Sequence, residues 1–229
     1  MHEALLFHEA NQAGQVDQFP KNHEKDYPNT HLKGELIDLQ SRFNINNFNA
    51  LSSFSTLYLL LRDPKIQSSQ MQKRALIFNF YHWLSPHQPQ GQSEQEYFYA
   101  TQNPPYLAAY QHMTSPSEMR LIQGNTPQIQ EILLEKLVAL PEKTPLNLYT
   151  APPVLLKALG SGLTNEQIEE IVSKRQAHDL DNKNNLSTLL TKLAIPPEDV
   201  TTNSQYFLVI AHVYRNDLNL NVLTILKRE

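Results

Sequence analysis

Helix-start signals recur along this 229-residue chain, and they constrain its fold more than any other feature. Each is a serine or threonine that is followed directly by proline, or at the third residue by Glu or Gln. The hydroxyl of such a residue accepts a hydrogen bond from the free N–H groups of a first helical turn. The signals stand at Ser69, Ser93, Ser115, Thr126 and Thr164. A chain with five of them is predicted to be built mainly from helices.

Apolar spacing predicts where the helices run. Residues 32–43 and 48–61 carry apolar side chains at helical intervals, and so does the segment 127–140, which stops at Pro141. The stretch RALIFNFYHWL (74–84) is too uniformly apolar to lie on a surface. It is predicted to be a buried helix, with a central strand as the alternative.

The C-terminal third has a different pattern. QYFLVIAHVYR (205–215) is β-branched and aromatic, and LNLNVLTIL (218–226) alternates apolar with polar residues over its first half. A turn at 215–217 makes the pair a predicted β-hairpin, with a helix over 204–215 as the alternative and LNLYT (146–150) as an additional strand. The predicted fold class is mainly α (α+β), a multi-helix globular domain with a small C-terminal β-hairpin or sheet.

Four segments are predicted along the chain. Residues 1–30 form an acidic, histidine-containing N-terminal arm, and residues 31–85 form an N-terminal helical subdomain. A polar linker with two prolines and a glycine occupies 86–95, and 96–229 form a C-terminal helical subdomain that ends in the hairpin.

Charge is concentrated in the first 40 residues, where seven acidic residues and three lysines give a net −4, equal to the net charge of the whole chain. Residues 42–74 hold five basic residues and one acidic residue. The arm is therefore predicted to dock on this basic segment or to compete with an acidic partner for it. A charge fluctuation along a solvated surface is the alternative.

The opening MHEALLFHEA repeats His-Glu, as metal-binding helices do. A helical zinc site needs two histidines four residues apart, whereas His2 and His8 are six positions apart, which places them about 120° from each other on a helix. No metal site is predicted. Because four histidines fall in the first 31 residues and titrate near pH 6, the arm is interpreted as a pH-sensitive tether.

Several kinds of chemistry are excluded by missing residues. The chain has no cysteine, which removes disulfides, thiolate metal sites and cysteine nucleophiles, and it has neither a Gly-x-Ser-x-Gly elbow nor a phosphate loop. His82 and His212 lie in apolar segments, where a hydrogen-bonded core role is the favoured interpretation. No cofactor is predicted, and no catalytic residue is identified.

Location is predicted from the missing membrane and export signals. There is no apolar run of membrane-spanning length and no basic segment followed by an apolar one at the N-terminus. A soluble, cytoplasmic protein without a membrane span or a conventional signal peptide is predicted, and non-classical secretion as an effector stays open.

Aromatic residues cluster between positions 78 and 110, which hold nine of the 20 in the chain. Tyrosine and tryptophan suit partner surfaces because they combine an apolar body with a polar tip. The predicted function is therefore a non-catalytic protein-interaction or regulatory module that binds a protein partner through an aromatic surface. The alternative is that the rings fill the core. The predicted binding residues are Trp83, Tyr97, Tyr99, Tyr106 and Tyr110.

Two short stretches resemble known families. PVLLKALGSGLTNEQIEEIV (153–172) is similar to the helix-loop-helix of transcription-activator-like DNA-binding repeats, which implies a helix-turn-helix nucleic-acid binder. Nucleic acid is not the favoured partner, because this segment has no arginine-rich face.

The second stretch is KTPLNLYTAPP, followed by NNLSTLL and two strand-like segments. It resembles the order of elements in ADP-ribosyltransferases, with Tyr149 and Ser187-Thr188 at the matching places. That resemblance implies NAD chemistry on a divergent enzyme. Thr150 stands where the family has arginine, and the family's Glu-x-Glu pair is missing.

Overall fold

The computed structural model describes residues 21–49, 53–86 and 94–228. The chain divides into two compact units. The sheet unit combines Met1–Ser41 with Asn203–Glu229, and the helical unit is Arg42–Thr202.

The elements follow one another in a mixed order. The strands are β1 (Lys21–Tyr27), β2 (Thr30–Asp38), β3 (Phe43–Asn44), β4 (Leu137–Val138), β5 (Leu146–Asn147), β6 (Val200–Thr201), β7 (Tyr206–Arg215) and β8 (Leu218–Lys227). The helices are α1 (Phe54–Leu60), α2 (Gln70–Leu84), α3 (Glu94–Ala100), α4 (Pro127–Leu134), α5 (Pro153–Leu156), α6 (Asn165–Gln176) and α7 (Lys183–Leu193). Short 3₁₀ turns lie at Leu39–Ser41, Ile45–Asn49, Pro116–Leu121, Asp179–Asp181 and Pro197–Asp199.

The sheet unit is a four-stranded antiparallel sheet in the order β1-β2-β7-β8. Its two hairpin turns place Asn29 (φ 63°) and Asn216 (φ 49°) in the left-handed region, which asparagine tolerates better than most residues. The buried Asp38 at the end of β2 accepts a hydrogen bond from Ser204 Oγ at 2.7 Å. The first strand of the C-terminal hairpin is thereby tied to β2.

The helix predicted over 32–43 is wrong. Residues 30–38 are β2, which pairs with β7 from His31 opposite Tyr214 to Asp38 opposite Phe207. A spacing of four residues is a multiple of the strand period as well as about one helical turn. Leu32 and Leu36 therefore share one face in either structure, and their spacing could not distinguish the two.

The predicted fold class is also wrong. The turn predicted at 215–217 does join two antiparallel strands, but these strands continue into a sheet with β1 and β2. Two further parallel pairs, β3-β4 and β5-β6, lie in the helical unit. The chain is mixed α+β, because strands distant in sequence pair with one another.

Helix α2 crosses the core of the helical unit. Its N-terminus carries the capping box predicted at Ser69, with reciprocal bonds to Gln72. The predicted buried helix is confirmed, since Leu76, Phe80 and Trp83 are each at most 2% exposed. They pack in a single apolar cluster that extends through most of the unit.

Helix α4 begins after Thr126 as predicted but ends at Leu134. The chain then turns into β4, where Leu137 pairs with Phe43 in parallel. Leu137 and Leu140 are both about 1% exposed, so the apolar spacing reports burial correctly but not the conformation that buries them.

Part of the predicted arm and linker lies outside the described residues. This applies to positions 1–20, including His2 and His8, and to 87–93. Within the described part of the arm, residues 21–30, β1 takes up 21–27 and β2 begins at Thr30. The four segment boundaries stay predictions.

Candidate functional site

The five aromatic residues predicted to bind a partner are placed differently from one another. Trp83 is 2% exposed and Tyr99 is fully buried, and their rings meet edge to face with centroids 5.5 Å apart. Tyr106 is half-buried and donates a hydrogen bond to Leu121 O at 2.8 Å. Tyr97 is 68% exposed. A binding role for these residues stays a prediction, and only Tyr97 presents most of its ring to solvent.

Tyr110 is also half-buried, with a positive φ of 51°. Its hydroxyl donates to Glu96 Oε1 at 2.9 Å. Burial, followed by this hydrogen bond to a carboxylate, raises the pKa of Tyr110 to about 12. Burial likewise raises the pKa of Tyr99 to about 12. Both phenols are therefore neutral at physiological pH, as structural tyrosines are.

The described histidines that the structure places in contact with other groups have different partners. The His82 ring packs edge to face on Tyr110 with centroids 5.4 Å apart, and His212 Nδ1 lies 2.6 Å from Asn221 Oδ1 on the neighbouring strand. His31 Nδ1 lies 2.6 Å from an Asp26 carboxylate oxygen. Within residues 21–49, 53–86 and 94–228, no three metal-ligating side chains converge.

The residues that resemble an ADP-ribosyltransferase make structural contacts. Tyr149 donates its hydroxyl to Asp181 Oδ1 at 2.6 Å, and burial together with this carboxylate raises its pKa well above the usual value. Arg175 Nη1 donates to the Tyr149 carbonyl oxygen at 3.1 Å. Thr188 donates to Asn184 O one turn earlier in α7. Each of these side chains supports its local fold.

A set of buried asparagines lies in the run NINN (44–47), between the two helices predicted over 32–43 and 48–61, and no structural role was predicted for it. Asn44 Nδ2 donates to Glu142 O at 2.8 Å and to Thr144 Oγ1 at 3.0 Å. Its Oδ1 accepts from Leu140 N at 3.0 Å. One amide thus pairs with both backbone and side-chain groups of a segment almost 100 residues away.

The neighbouring asparagines extend this network. Asn46 Nδ2 donates to Leu140 O at 2.8 Å, and Asn46 Oδ1 accepts from Met113 N at 2.8 Å. Asn47 Nδ2 donates to Thr144 O at 2.8 Å. We call Asn44, Asn46 and Asn47 the asparagine clasp. Its side chains, rather than a ladder of backbone strand bonds, hold Met113 and the 140–144 segment in place.

A partly buried ion pair lies next to the clasp. Lys136 Nζ is 2.6 Å from Asp63 Oδ2, and their side chains are 9% and 16% exposed. The Lys136 carbonyl oxygen also accepts from Phe43 N at 3.0 Å, which links the pair to β3. The hydrogen bond from Lys136 holds the pKa of Asp63 below its usual value. These contacts fix the chain path on both sides of the core.

The outer strand β8 is the most apolar exposed element described. All ten of its residues are exposed, including Leu223 at 65%, Leu218 at 60% and Ile225 at 56%. Exposed apolar surface of this kind is typical of an interaction site. In the described part of the chain, no helix has the length and apolar character needed to cross a membrane.

Three comparisons with known proteins agree with one another. Residues 41–142 match the family model for type II secretion system (T2SS) protein K. The curated type II secretion system protein K of Pseudomonas aeruginosa is 31% identical over 150 residues, which cover 64% of this chain. The match spans 44% of the length of that relative.

The third comparison concerns the fold. The crystal structure of the GspK–GspI–GspJ complex from the enterotoxigenic Escherichia coli type 2 secretion system contains a chain that is similar with a TM-score of 0.67. The similarity covers 100% of this chain and 92% of the other at 15% sequence identity. At this level of identity the likeness shows a shared fold.

These findings correct the functional predictions. A regulatory module, a divergent ADP-ribosyltransferase and a helix-turn-helix nucleic-acid binder are all wrong, because the family match and the curated relative both point to a secretion-system component. The predicted cytoplasmic location is wrong for the same reason, since that machinery belongs to the cell envelope. None of the motifs identified in the sequence pointed to this function.

Proposed function

We propose that this chain is a protein K-type component of a type II secretion system and acts in the cell envelope as a structural part of that machinery. The observation that carries the proposal is the family match over residues 41–142. That range contains Asn44, Asn46 and both members of the Asp63–Lys136 pair. The match therefore covers the contacts that shape this half of the helical unit.

The similar solved structure is a complex of GspK with GspI and GspJ. We infer that this chain likewise assembles with two proteins, the counterparts of GspI and GspJ in its own source organism.

Co-purification tests the assembly. The full chain would be mixed with purified counterparts of GspI and GspJ, and native mass spectrometry would measure the composition of the product. One complex containing all three chains is expected. A stable pair of the two counterparts that excludes this chain at every concentration would contradict the proposal.

A matched pair of variants shows whether assembly depends on the folded helical unit. Asn44→Ala removes the central clasp residue, whereas Asn184→Ala changes an exposed asparagine on α7. We expect assembly to weaken for the first variant in proportion to its unfolded fraction. The second variant should assemble like the wild type.

Deletion of the gene tests the cellular role. Export of a type II substrate should be lost in the deletion strain and return with the full gene, while a protein exported by an unrelated route stays unchanged. Normal export without the gene would overturn the proposed function.

A further inference from the structure

The two edges of the sheet unit differ in chemistry. Strand β1 carries alternating charges at Glu24, Lys25 and Asp26, which discourage pairing with another strand. Strand β8 has no charged residue from Leu218 to Leu226. Among the described residues, no strand lies on the outer side of β8, so its outward N–H and C=O groups are open to pairing.

Both faces of β8 also expose apolar side chains. On one face Leu220 is 50% exposed and Val222 is 42% exposed, and on the other face lie Leu223 and Ile225. The first face continues across β7, because Val222 pairs with Ala211 and Leu220 pairs with Val213. A strand added to this edge would bury apolar area on two faces and satisfy the open backbone groups.

We propose that β8 pairs antiparallel with β8 of a second copy of this chain, with the two-fold axis at Val222. Counting residues outward from that axis places Leu218 opposite Leu226 and Leu220 opposite Thr224. Asp217 then faces Lys227 of the other copy, at both ends of the pair. Val222 meets its own copy at the axis, the Leu218–Leu226 pairs lie further out, and opposite charges meet at the ends.

The charges favour this register over the one centred on Asn221. Facing side chains must lie on the same face of the sheet, so an alternative symmetric register moves the two-fold axis by a whole residue. The register centred on Asn221 would place Arg215 opposite Lys227 of the other copy, which are like charges. The Val222 register avoids this clash and joins two four-stranded sheets into one of eight strands. The inference does not rest on the proposed secretion role.

Cysteine cross-linking tests the register, because the chain has no cysteine of its own. Val222→Cys places one thiol opposite its own copy, at a Cα separation of about 4.5–5.5 Å that a disulfide can bridge. Leu220→Cys on the same face would lie about 14 Å from its copy in this register. Mild oxidation should cross-link the full chain with Val222→Cys and leave Leu220→Cys single.

The controls separate this register from chance collisions. Val154→Cys offers a more exposed position, 59% exposed in the helical unit, and should not cross-link. Equal cross-linking of the 220 and 222 variants would overturn the proposed register. Cross-linking of the 220 variant alone would do the same.

A charge exchange gives an independent test by sedimentation of the full chain. Asp217→Lys and Lys227→Asp should each weaken the dimer, since each variant sets like charges opposite one another. The double variant restores opposite charges and should restore the dimer. The proposal would be overturned if the wild-type chain stays monomeric at high concentration. It would also be overturned if the double variant dimerises as weakly as the two single variants. Circular dichroism would verify that each variant is folded.

Discussion

Asn44 Nδ2 lies 3.0 Å from Thr144 Oγ1, and the two residues are 100 positions apart in the chain. Both are buried, at 2% and 4% exposure. Asn44→Ala removes this bond and leaves Leu140 N and Glu142 O without their partner. Because buried polar groups that lose a partner cost about 1–3 kcal/mol each, we expect a loss of about 3 kcal/mol in the free energy of unfolding. Urea denaturation measures it.

The control for this prediction is Asn184→Ala, which changes an exposed asparagine in α7. It should alter the free energy of unfolding by less than about 0.5 kcal/mol. Equal effects of the two substitutions would mean that the clasp does not hold the 140–144 segment.

The ion pair between Asp63 and Lys136 should make stability pH-dependent. The folded-state pKa of Asp63 lies below the usual 3.8. The stability that its ionised carboxylate contributes is therefore fully present above 3.8 and is lost as pH falls through the folded-state pKa. Asp63→Asn should cost about 2 kcal/mol at neutral pH, between the values for exposed and fully buried pairs. Urea titrations at several pH values measure this.

The difference between wild type and Asp63→Asn should shrink as pH falls below the ordinary aspartate pKa. A difference that stays constant from neutral to strongly acidic pH would contradict the pairing. Lys174→Met serves as the control, because the Lys174–Asp179 pair is longer, at 3.7 Å, and more exposed. Its effect should be below about 1 kcal/mol.

Local chemistry explains which parts of the fold were predictable. The caps at Ser69, Thr126 and Thr164 were identified because each bonds to a residue three positions later. Strand β2 was missed because its partner β7 lies more than 160 positions away, and its apolar spacing suits a helix equally well. Sequence patterns predict hydrogen bonds between residues a few positions apart, but they do not predict strand pairing across such distances.

The site was harder to predict for the same reason. The polar run at 44–47 lies between two predicted helices, and its structural role becomes evident only from its partners Met113 and Leu140. Within the aromatic cluster at 78–110, Trp83 and Tyr99 pack in the core, whereas Tyr97 is exposed. Aromatic content alone does not distinguish a core from a binding surface, because both gain from burying large rings.

Two tyrosines that lie two positions apart on one helix allow a direct test of that distinction. Tyr99 is fully buried against Trp83, whereas Tyr97 on the same helix is 68% exposed. Tyr99→Ala should lower the free energy of unfolding by about 3–5 kcal/mol, as large-to-small core substitutions do. Tyr97→Ala should change it by less than about 0.5 kcal/mol. Similar values for both would contradict the assignment of Tyr99 to the core.

Gly160 provides a test of the chain path between α5 and α6. Its φ is +56°, and a Cβ placed there would lie 3.0 Å from the Ala194 carbonyl oxygen. Gly160→Ala should therefore destabilise the protein by about 2 kcal/mol, through left-handed strain together with the close backbone contact. Gly124→Ala is the matched control, since its φ is also positive, at +86°, but the nearest atom to its Cβ would be Leu76 Cδ1 at 3.9 Å. It should lose about 1 kcal/mol from backbone strain alone. Thermal unfolding of both variants measures the difference, and an equal loss would show that the Ala194 contact carries no cost.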